Sequence, residues 1–259
     1  MNMEPDHNLI RHVEEASMNA WPALQTLLYD GWVLRFAEGY TRRSNSINPL
    51  YPSTGNVAEN IRACEELYYN KGLDPTFKMT TQSTPAGLDG LLAKRGYQEQ
   101  ARTSLQFLDL AGRQGSVFGD VALSEQATED WLAGYWRMSG TAAAYHETNR
   151  QMLRSFVIPK RFAAISVEGQ VVACGLGVLQ GEMIGLFDIV TDQGQRRQGH
   201  ARRLIEALLK WGKEQGAQRS YLQVSLDNPP ALALYARLGY YEAYQYWYRI
   251  KPLNQVAIE

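Results

Sequence analysis

The residues best suited to chemistry form a short basic loop near the C-terminal end of the chain, Arg196-Arg197-Gln198-Gly199-His200-Ala201. The loop follows an apolar segment, residues 184–191, that is typical of a strand, and it precedes a segment with apolar residues at helical spacing. A helix start presents unpaired N–H groups and about half a positive charge, and a glycine lets a ligand approach the backbone closely. This pattern predicts a phosphate site, to which the neighbouring Arg202 adds positive charge.

A second motif follows the loop along the chain, beginning at Asn228 and continuing as Ala231-Leu232-Ala233-Leu234-Tyr235-Ala236-Arg237-Leu238-Gly239-Tyr240. The two motifs in this order resemble the GNAT superfamily of N-acetyltransferases. Its loop reads [Q/R]-x-x-G-x-[G/A], and its second signature reads N-x-x-A-x-x-L-Y-x-x-x-G-[F/Y], here with one extra residue after the asparagine. The resemblance spans most of residues 117–250. A Walker loop and a dinucleotide-binding loop are excluded, because Gly-Lys-Ser/Thr and GxGxxG are both missing from this loop.

The resemblance implies acetyl-CoA as co-substrate, with its pyrophosphate on the loop and without a metal. In the superfamily the strand before the loop splays from its neighbour, and its backbone amides hold the pantetheine and polarise the thioester carbonyl. Tyr235 matches the tyrosine near the coenzyme sulfur and is predicted to be the general acid, although a tyrosine packed on a helix face is the alternative. Asn228 either contacts the coenzyme or forms a turn before Pro229. The implied coenzyme-binding residues are Ile189, Val190, Thr191, Arg196, Arg197, Gln198, Gly199, His200, Ala201, Arg202, Asn228 and Tyr235.

The acceptor amine must be neutral when it attacks, and deprotonating a lysine-like amine of pKa about 10.4 costs roughly 4.6 kcal/mol at pH 7. Asp188 is the first candidate for the general base, because it interrupts an apolar strand where an acid is costly unless it faces a cleft. An acid that faces solvent or forms an ion pair is the alternative. His146 and Glu147 are second candidates in a helical region predicted to border the acceptor pocket, and the adjacent Tyr145 either lines that pocket or packs in the core.

The chain also contains an internal repeat. Leu91-Leu92-Ala93-Lys94-Arg95-Gly96-Tyr97 resembles the string that ends in Gly239-Tyr240, which sets an offset that pairs Gly96 with Gly239. The same offset pairs a helical segment, residues 56–69, with residues 199–212, and both are followed by a strand, a short helix and a strand. The repeat predicts two tandem GNAT-like α/β domains, residues 1–112 and 113–259, joined by a linker at residues 111–116. Each is expected to be a mostly antiparallel mixed sheet with flanking helices.

The first half lacks the residues that carry the chemistry in the second half. Ser53 stands in place of Arg196, Asn56 in place of Gly199, and Leu92 in place of Tyr235. The first domain is therefore predicted to be degenerate and not to bind CoA. Its polar, basic segment around Arg42 and Asn45 either lines an acceptor site at the domain interface or makes ion pairs and strand-end hydrogen bonds.

The composition of the chain limits the classes of molecule that we expect it to bind. With 26 basic and 27 acidic residues in 259, the net charge of -1 gives no overall positive field for nucleic acid or an anionic membrane. Cys64 and Cys174 lack metal-ligand spacing, and neither a signal peptide nor an apolar run of membrane-spanning length is apparent. These features predict a cytoplasmic protein without nucleic-acid or membrane partners. Together with what the resemblance implies, we expect a monomer or homodimer that acetylates a small-molecule amine.

Three other functions stay open from the sequence. The first is acetylation of protein or peptide N-termini or lysines, which would need an open groove in place of a closed pocket. The second is aminoacyl transfer, since some peptidoglycan-building enzymes pair two GNAT-like domains; the intact loop argues against it. The third is a non-catalytic CoA-binding regulatory module, which Tyr235 disfavours and the degenerate first half keeps open.

Overall fold

A computed structural model describes residues 7–113 and 118–253 of the chain. Within these ranges it contains seven α-helices and eleven β-strands. The helices are α1 His7–Asn19, α2 Val57–Tyr69, α3 Leu88–Lys94, α4 Glu129–Ser139, α5 His146–Arg154, α6 His200–Glu214 and α7 Pro229–Arg237. The strands are β1 Gln25–Tyr29, β2 Trp32–Phe36, β3 Ile47–Pro49, β4 Thr76–Thr80, β5 Gln98–Asp109, β6 Ala122–Ser124, β7 Lys160–Val167, β8 Gln170–Gln180, β9 Met183–Thr191, β10 Arg219–Ser225 and β11 Tyr241–Ile250. The mixed α/β class predicted from the sequence is confirmed.

The chain divides into two compact units. Unit 1 comprises Met1–Ser104 together with Tyr244–Glu259, and unit 2 comprises Leu105–Ala243. The last strand counts with unit 1 because residues 246–250 of β11 pair antiparallel with β4. The linear division at residue 112 stays a prediction, and part of its proposed linker, residues 114–116, lies outside the described residues.

Unit 1 is built on strands in the order β1-β2-β3-β4, followed by β11. Its core lies where the buried face of α2, with Ile61, Cys64 and Tyr68, packs with strand residues such as Trp32 and Phe77. The helix begins at residue 57 because the Asn56 side chain accepts hydrogen bonds from the second and third backbone N–H groups after it, at 2.9 and 3.3 Å.

Unit 2 has the strand order β5-β10-β9-β8-β7-β6. The strands from β6 to β9 pair antiparallel, whereas β9 and β10 are parallel. Helix α6 buries Leu204 and Leu208 completely in the core of this unit. None of the helices in the described part of the chain is long and apolar enough to cross a membrane.

From α2 in unit 1 and α6 in unit 2 onward, the starts of the next elements agree with the repeat predicted from the sequence. Helices α2 and α6 begin at Val57 and His200, which the offset from Gly96 to Gly239 pairs with each other. The next strands, β4 and β10, begin at Thr76 and Arg219, which the same offset also pairs. The helical segment predicted to begin at Gly199 begins one residue later, because Gly199 is the N-cap residue.

Candidate active site

The two parallel strands of unit 2 separate at their carboxyl ends. Strand β9 pairs with β10 from Met183 opposite Arg219 to Leu186 opposite Leu222. Both described strands continue beyond this point without pairing to each other, while β9 stays paired with β8 through Thr191. Separation leaves backbone N–H and C=O groups of the end of β9 facing the gap, available to a ligand. The splay implied by the family resemblance is therefore present.

Asp188 lies in a β-bulge of the same strand. Phe187 pairs with Leu176 and Val190 pairs with Cys174, so Asp188 and Ile189 together oppose a single residue of β8. The backbone φ of Asp188 is +53°, which is uncommon outside glycine and marks a locally strained site.

The Asp188 carboxylate is held by a residue that the sequence analysis missed. Tyr135 of α4 donates a hydrogen bond from Oη to Asp188 Oδ1 at 3.1 Å. The tyrosine is buried, with 7% of its surface exposed, and its ring stacks on Trp131 at 5.3 Å. No pattern in the sequence singles out Tyr135, because its partner lies 53 residues away in a bulge that only the folded chain defines.

The backbone of the basic loop has features that suit the binding of an anion. Arg197 and Gly199 both adopt positive φ, +64° and +80°, and residues 196–199 are exposed. Helix α6 begins immediately afterwards, so the N–H groups of its first turn lack intrahelical partners. Glycine at 199 favours this conformation, because a side chain disfavours it. These features place exposed loop residues and unpaired N–H groups at the positive end of a helix.

Asp192 fixes the start of the loop. Its Oδ1 accepts a hydrogen bond from the Gly194 N–H at 3.0 Å, and its Oδ2 forms an ion pair with Arg137 of α4. The hydrogen bond from Arg137, followed by that from Gly194, holds the pKa of Asp192 below its usual range. The loop is therefore fixed to α4 by a charged contact.

Two buried polar atoms beside the loop, Thr191 Oγ1 and His200 Nε2, have no hydrogen-bond partner within residues 7–113 and 118–253. His200 Nδ1 lies 2.7 Å from Arg203 Nη2. A guanidinium only donates, so Nδ1 accepts and the ring proton is on Nε2. Burial, and then the Arg203 charge, lower the pKa of His200 and keep the ring neutral at pH 7. A buried N–H donor at the first residue of α6 fits an acceptor oxygen such as that of a phosphate.

The side chains of the basic residues after the loop have local partners. Arg203 Nε donates to Asp120 Oδ2 and Arg203 Nη1 to the Gln198 carbonyl, each at 3.0 Å. Arg202 Nε donates to Glu206 Oε1 at 2.8 Å. Arg196 and Arg197 are exposed, and Arg196 lies close enough to Asp192 to contribute to lowering its pKa. Arg203 therefore braces the loop, whereas the exposed Arg196 and Arg197 can reach an incoming anion.

Tyr235 and Asn228 belong to α7. Asn228 is the N-cap of this helix, and its Oδ1 accepts a hydrogen bond from the Ala231 N–H at 3.2 Å. Tyr235 is 8% exposed and packs edge to face against Tyr240 at 5.8 Å. Burial raises the pKa of Tyr235 to about 12, so the phenol is protonated at pH 7 and can act as a donor.

The acceptor-site candidates of unit 2 lie at the start of α5. His146 stacks on Trp136, with ring centroids 3.9 Å apart, and its Nε2 donates to the Thr141 carbonyl at 3.1 Å. Glu147 accepts a hydrogen bond from the Gln151 side chain at 3.0 Å. Tyr145 is half-buried at the end of a single 3-10 turn. The contacts of His146 shape this turn, and a role for these residues in binding the amine stays a prediction.

The candidates of unit 1 are Arg42 and Asn45. Asn45 Oδ1 accepts from the Ala37 and Gly39 N–H groups at 2.7 and 3.0 Å, and its Nδ2 donates to the Thr41 carbonyl at 2.8 Å. Asn45 therefore closes its own loop. Arg42 is exposed and donates to Gln100 Oε1 at 3.2 Å. Their contribution to an acceptor site stays a prediction.

The described residues contain no group of three or more His, Cys, Asp or Glu side chains arranged to hold a metal ion. Cys64 and Cys174 are both buried thiols. Burial raises the pKa of Cys64 to about 12, and that of Cys174 is raised for the same reason. Neither thiol is therefore a reactive nucleophile.

Two solved structures share the fold of this chain. A solved GCN5-related N-acetyltransferase from Kribbella flavida superposes with a TM-score of 0.69 at 16% identity, covering 93% of this chain and 95% of that one. A tandem GNAT protein from the clavulanic acid biosynthesis pathway superposes with a TM-score of 0.59 at 14% identity, covering 93% and 87%. At such identities the superpositions establish the fold alone.

Sequence comparison defines the family more narrowly. The uncharacterized N-acetyltransferase YobR of Bacillus subtilis is 27% identical over 249 residues, which are 93% of this chain and 98% of that protein. The family model described as probable histone acetyltransferase Rv0428c C-terminal matches residues 8–249. The chain therefore belongs to the Rv0428c C-terminal acetyltransferase family, within the GNAT superfamily of N-acetyltransferases.

Proposed function

We propose that unit 2 transfers the acetyl group of acetyl-CoA to the primary amine of a small molecule. The observation that carries this proposal is the exposed anion loop of residues 196–199 at the end of a splayed strand. Its two positive-φ residues and the first turn of α6 offer N–H groups to a pyrophosphate. When bound, acetyl-CoA supplies an activated acetyl thioester.

The residues of the chain have separate tasks in this reaction. Arg196, Arg197 and the loop N–H groups bind the pyrophosphate, and the free edge of residues 189–191 orients the arm that leads to the thioester. Asp188 accepts the proton that the amine loses as the new C–N bond forms. Tyr235 donates its phenolic hydrogen bond to the sulfur as the C–S bond breaks.

The roles of Asp188 and Tyr235 depend on which proton each of them can take or give. The ammonium form of the amine loses its first proton to solvent, and Asp188 takes the second proton as the neutral amine attacks. A phenol with a pKa of about 12 does not give its proton fully to a thiolate of pKa about 8.5. Tyr235 therefore stabilises the leaving sulfur by hydrogen bonding, and solvent completes the protonation.

The family description favours a second candidate function, the acetylation of a basic protein tail, since the matched model is named for a probable histone acetyltransferase. The net charge of -1 supports the small-molecule proposal, because it gives no strong field to attract a polycationic tail. Both functions use the same donor site and differ in the acceptor.

Calorimetry with acetyl-CoA tests the donor site, and Arg196→Ser is the informative variant because serine stands at the matching position of unit 1. We expect one site per chain in the wild type and about tenfold weaker binding in the variant, as for a lost charged phosphate contact. Absence of binding by the wild-type chain, or equal binding by both proteins, would overturn the proposal.

Thiol release with a panel of small amines and a lysine-rich peptide then identifies the acceptor. Release with small amines supports the proposal, and release with the peptide alone identifies protein acetylation. Binding of acetyl-CoA without release for any acceptor indicates a non-catalytic CoA-binding module.

A further inference from the structure

Helix α4 is seated firmly on strand β8. A Cβ atom at Gly134 would lie only 2.8 Å from Val171 Cγ1, so glycine allows the helix to approach the strand this closely. Trp131, one turn earlier, is 1% exposed and donates from Nε1 to the Ala163 carbonyl at 3.0 Å. These contacts fix the distance between α4 and the sheet for the residues that follow on the helix.

The next residue after Gly134, Tyr135, reaches the bulge of β9. Its ring is fixed by stacking on Trp131, and its hydroxyl donates to Asp188 Oδ1 at 3.1 Å. Asp188 has a positive φ, which is uncommon for a residue other than glycine, and its side chain is held from α4. Tyr135 supplies part of this restraint.

Two residues further along α4, Arg137 reaches the other end of the same segment. Its Nη1 pairs with Asp192 Oδ2, and its Nη2 donates to the Val171 carbonyl at 2.7 Å. Asp192 is itself fixed to β8, since its N–H donates to the Val172 carbonyl at 2.8 Å. The guanidinium thus bridges α4, β8 and the start of the anion loop.

Between these two contacts lie only residues 189–191, the end of β9 that has no pairing with β10. A strand edge without a neighbour loses the restraint that a second ladder would give it. We propose that Tyr135 and Arg137 are positioning residues that clamp both ends of this segment from α4 and keep its backbone oriented toward the thioester arm of the donor. This inference rests on the proposed use of acetyl-CoA.

The clamp predicts a specific pattern of losses. Tyr135→Phe and Arg137→Gln should each weaken the binding of CoA by about tenfold, as for a lost hydrogen bond to a charged group. The double variant should lose less than the product of the two single losses, because both contacts restrain one segment. Arg137→Lys should recover part of the affinity, since lysine keeps the charge and loses the bond to the Val171 carbonyl.

Two measurements on the full chain test the clamp. Calorimetry with CoA gives the affinities, and amide hydrogen exchange on the chain alone gives the mobility of residues 189–191, which should exchange several-fold faster in both single variants. Tyr241→Phe is the matched control for the tyrosine, since Tyr241 also donates to an aspartate, Asp109, at 3.4 Å. Arg154→Gln, on the exposed surface of α5, is the control for the arginine.

The outcomes separate the clamp from the proposed function. If the wild type binds CoA and both Tyr135→Phe and Arg137→Gln match it in affinity and exchange, the clamp is wrong. If the wild type does not bind CoA while exchange at residues 189–191 still rises only in Tyr135→Phe and Arg137→Gln, the donor proposal is wrong and the restraint of this segment stands. Faster exchange spread over the whole of unit 2 would also overturn the clamp, because it would indicate general destabilisation.

Discussion

Each unit has a turn before its matching helix, α2 in unit 1 and α6 in unit 2. The two turns differ in whether a carboxylate of the chain accepts from their N–H groups. In unit 2, residues 196–199 are exposed, and within the described part of the chain no carboxylate accepts from the N–H of Arg197 or Gln198. In unit 1, residues 53–56 precede α2, and the carboxylate of Asp30 lies in the turn. It accepts from the Thr54 and Gly55 N–H groups, both at 2.9 Å. In unit 1 the turn is therefore occupied by an anionic side chain, that of Asp30.

The side chains around Asp30 complete this site. Ser53 Oγ donates at 2.5 Å, Thr54 Oγ1 at 2.8 Å and Asn60 Nδ2 at 2.6 Å. These bonds, with that from Ser53 the largest effect, hold the pKa of Asp30 well below its usual range. The Thr54 and Gly55 N–H groups already have an acceptor and are not offered to a pyrophosphate. The comparison gives a physical reason for the predicted loss of CoA binding in unit 1.

The strands that lead into the two turns differ as well. In unit 2, Ile184 pairs with Ser220 and lies sixteen residues before the start of α6. In unit 1, Ile47 pairs with Phe77 and lies ten residues before the start of α2. Unit 1 is six residues shorter here, and the missing length corresponds to the splayed end of β9 with its bulge. A donor site thus needs both an open turn and an extended strand.

The largest expected effect on acetyl-CoA binding comes from a substitution at Gly199, the N-cap residue of α6. Gly199→Val should weaken acetyl-CoA binding by about 100-fold, because a branched residue disfavours positive φ and moves the loop out of its anion-binding conformation. A Cβ there would also lie 3.3 Å from Arg203 Nη1. Calorimetry measures the loss, and circular dichroism checks that the variant is folded.

Asn56→Ala is the matched change in unit 1. It removes the N-cap hydrogen bonds of α2 and should lower the free energy of unfolding by about 1 kcal/mol without changing acetyl-CoA affinity. A loss of affinity in Asn56→Ala comparable to that in Gly199→Val would contradict the assignment of binding to unit 2 alone.

The next largest effect is a loss of kcat on substitution of Tyr235, whose counterpart in unit 1 is Leu92. Tyr235→Phe should lower kcat by about 30-fold, because the departing sulfur loses its donor. Since the pKa of Tyr235 is raised to about 12, the tyrosine keeps its proton from pH 6 to pH 10, and the factor should be the same at pH 7 and pH 9. Steady-state kinetics at both pH values measure it.

Tyr240→Phe is the control for this change. It also removes a buried tyrosine hydroxyl, one that shares a 2.7 Å hydrogen bond with Ser220 Oγ, so it should reduce stability and leave kcat within about twofold. Equal losses of kcat in the two variants would mean that Tyr235 acts through packing.

What the sequence predicted were features encoded by neighbouring residues. The loop ending at Gly199, the start of α6 to within one residue, and the offset between the two halves from α2 and α6 onward follow from such patterns and are present in the structure. An acid that interrupts an apolar strand marks Asp188 in the sequence, although the bulge that contains it depends on pairing with β8. A local pattern can show where an unusual residue lies but cannot give its partner.

Contacts between distant segments could not be predicted in this way. Tyr135 and Arg137 meet partners 53 and 55 residues away, and β11 pairs with β4 of unit 1 although its sequence follows unit 2. Asp30 reads as an ordinary turn residue before a glycine, and only the folded chain brings it to residues 53–55. Register and three-dimensional proximity decide these contacts, and a single sequence carries neither.

The smallest expected effect tests the filled turn of unit 1. Asp30→Ala should lower the melting temperature by several degrees, because the N–H groups of Thr54 and Gly55 lose their acceptor. Phosphate or acetate at tens of millimolar should restore part of this loss in the variant by binding the vacated turn. Differential scanning calorimetry with sodium phosphate against sodium chloride of equal ionic strength separates anion binding from screening.

The pH dependence has a defined sign. The pKa of Asp30 is lowered in the folded chain, so its contribution to stability is complete above the unfolded pKa of about 3.9 and is lost as the pH falls below it. Asp30→Ala should therefore reduce the difference between the melting temperatures at pH 5 and pH 3. Asp227→Ala, at an exposed aspartate of unit 2, serves as the control. An equal response of both variants to phosphate and to pH would show that Asp30 does not occupy an anion site, and the contrast between the two turns would then rest on strand length alone.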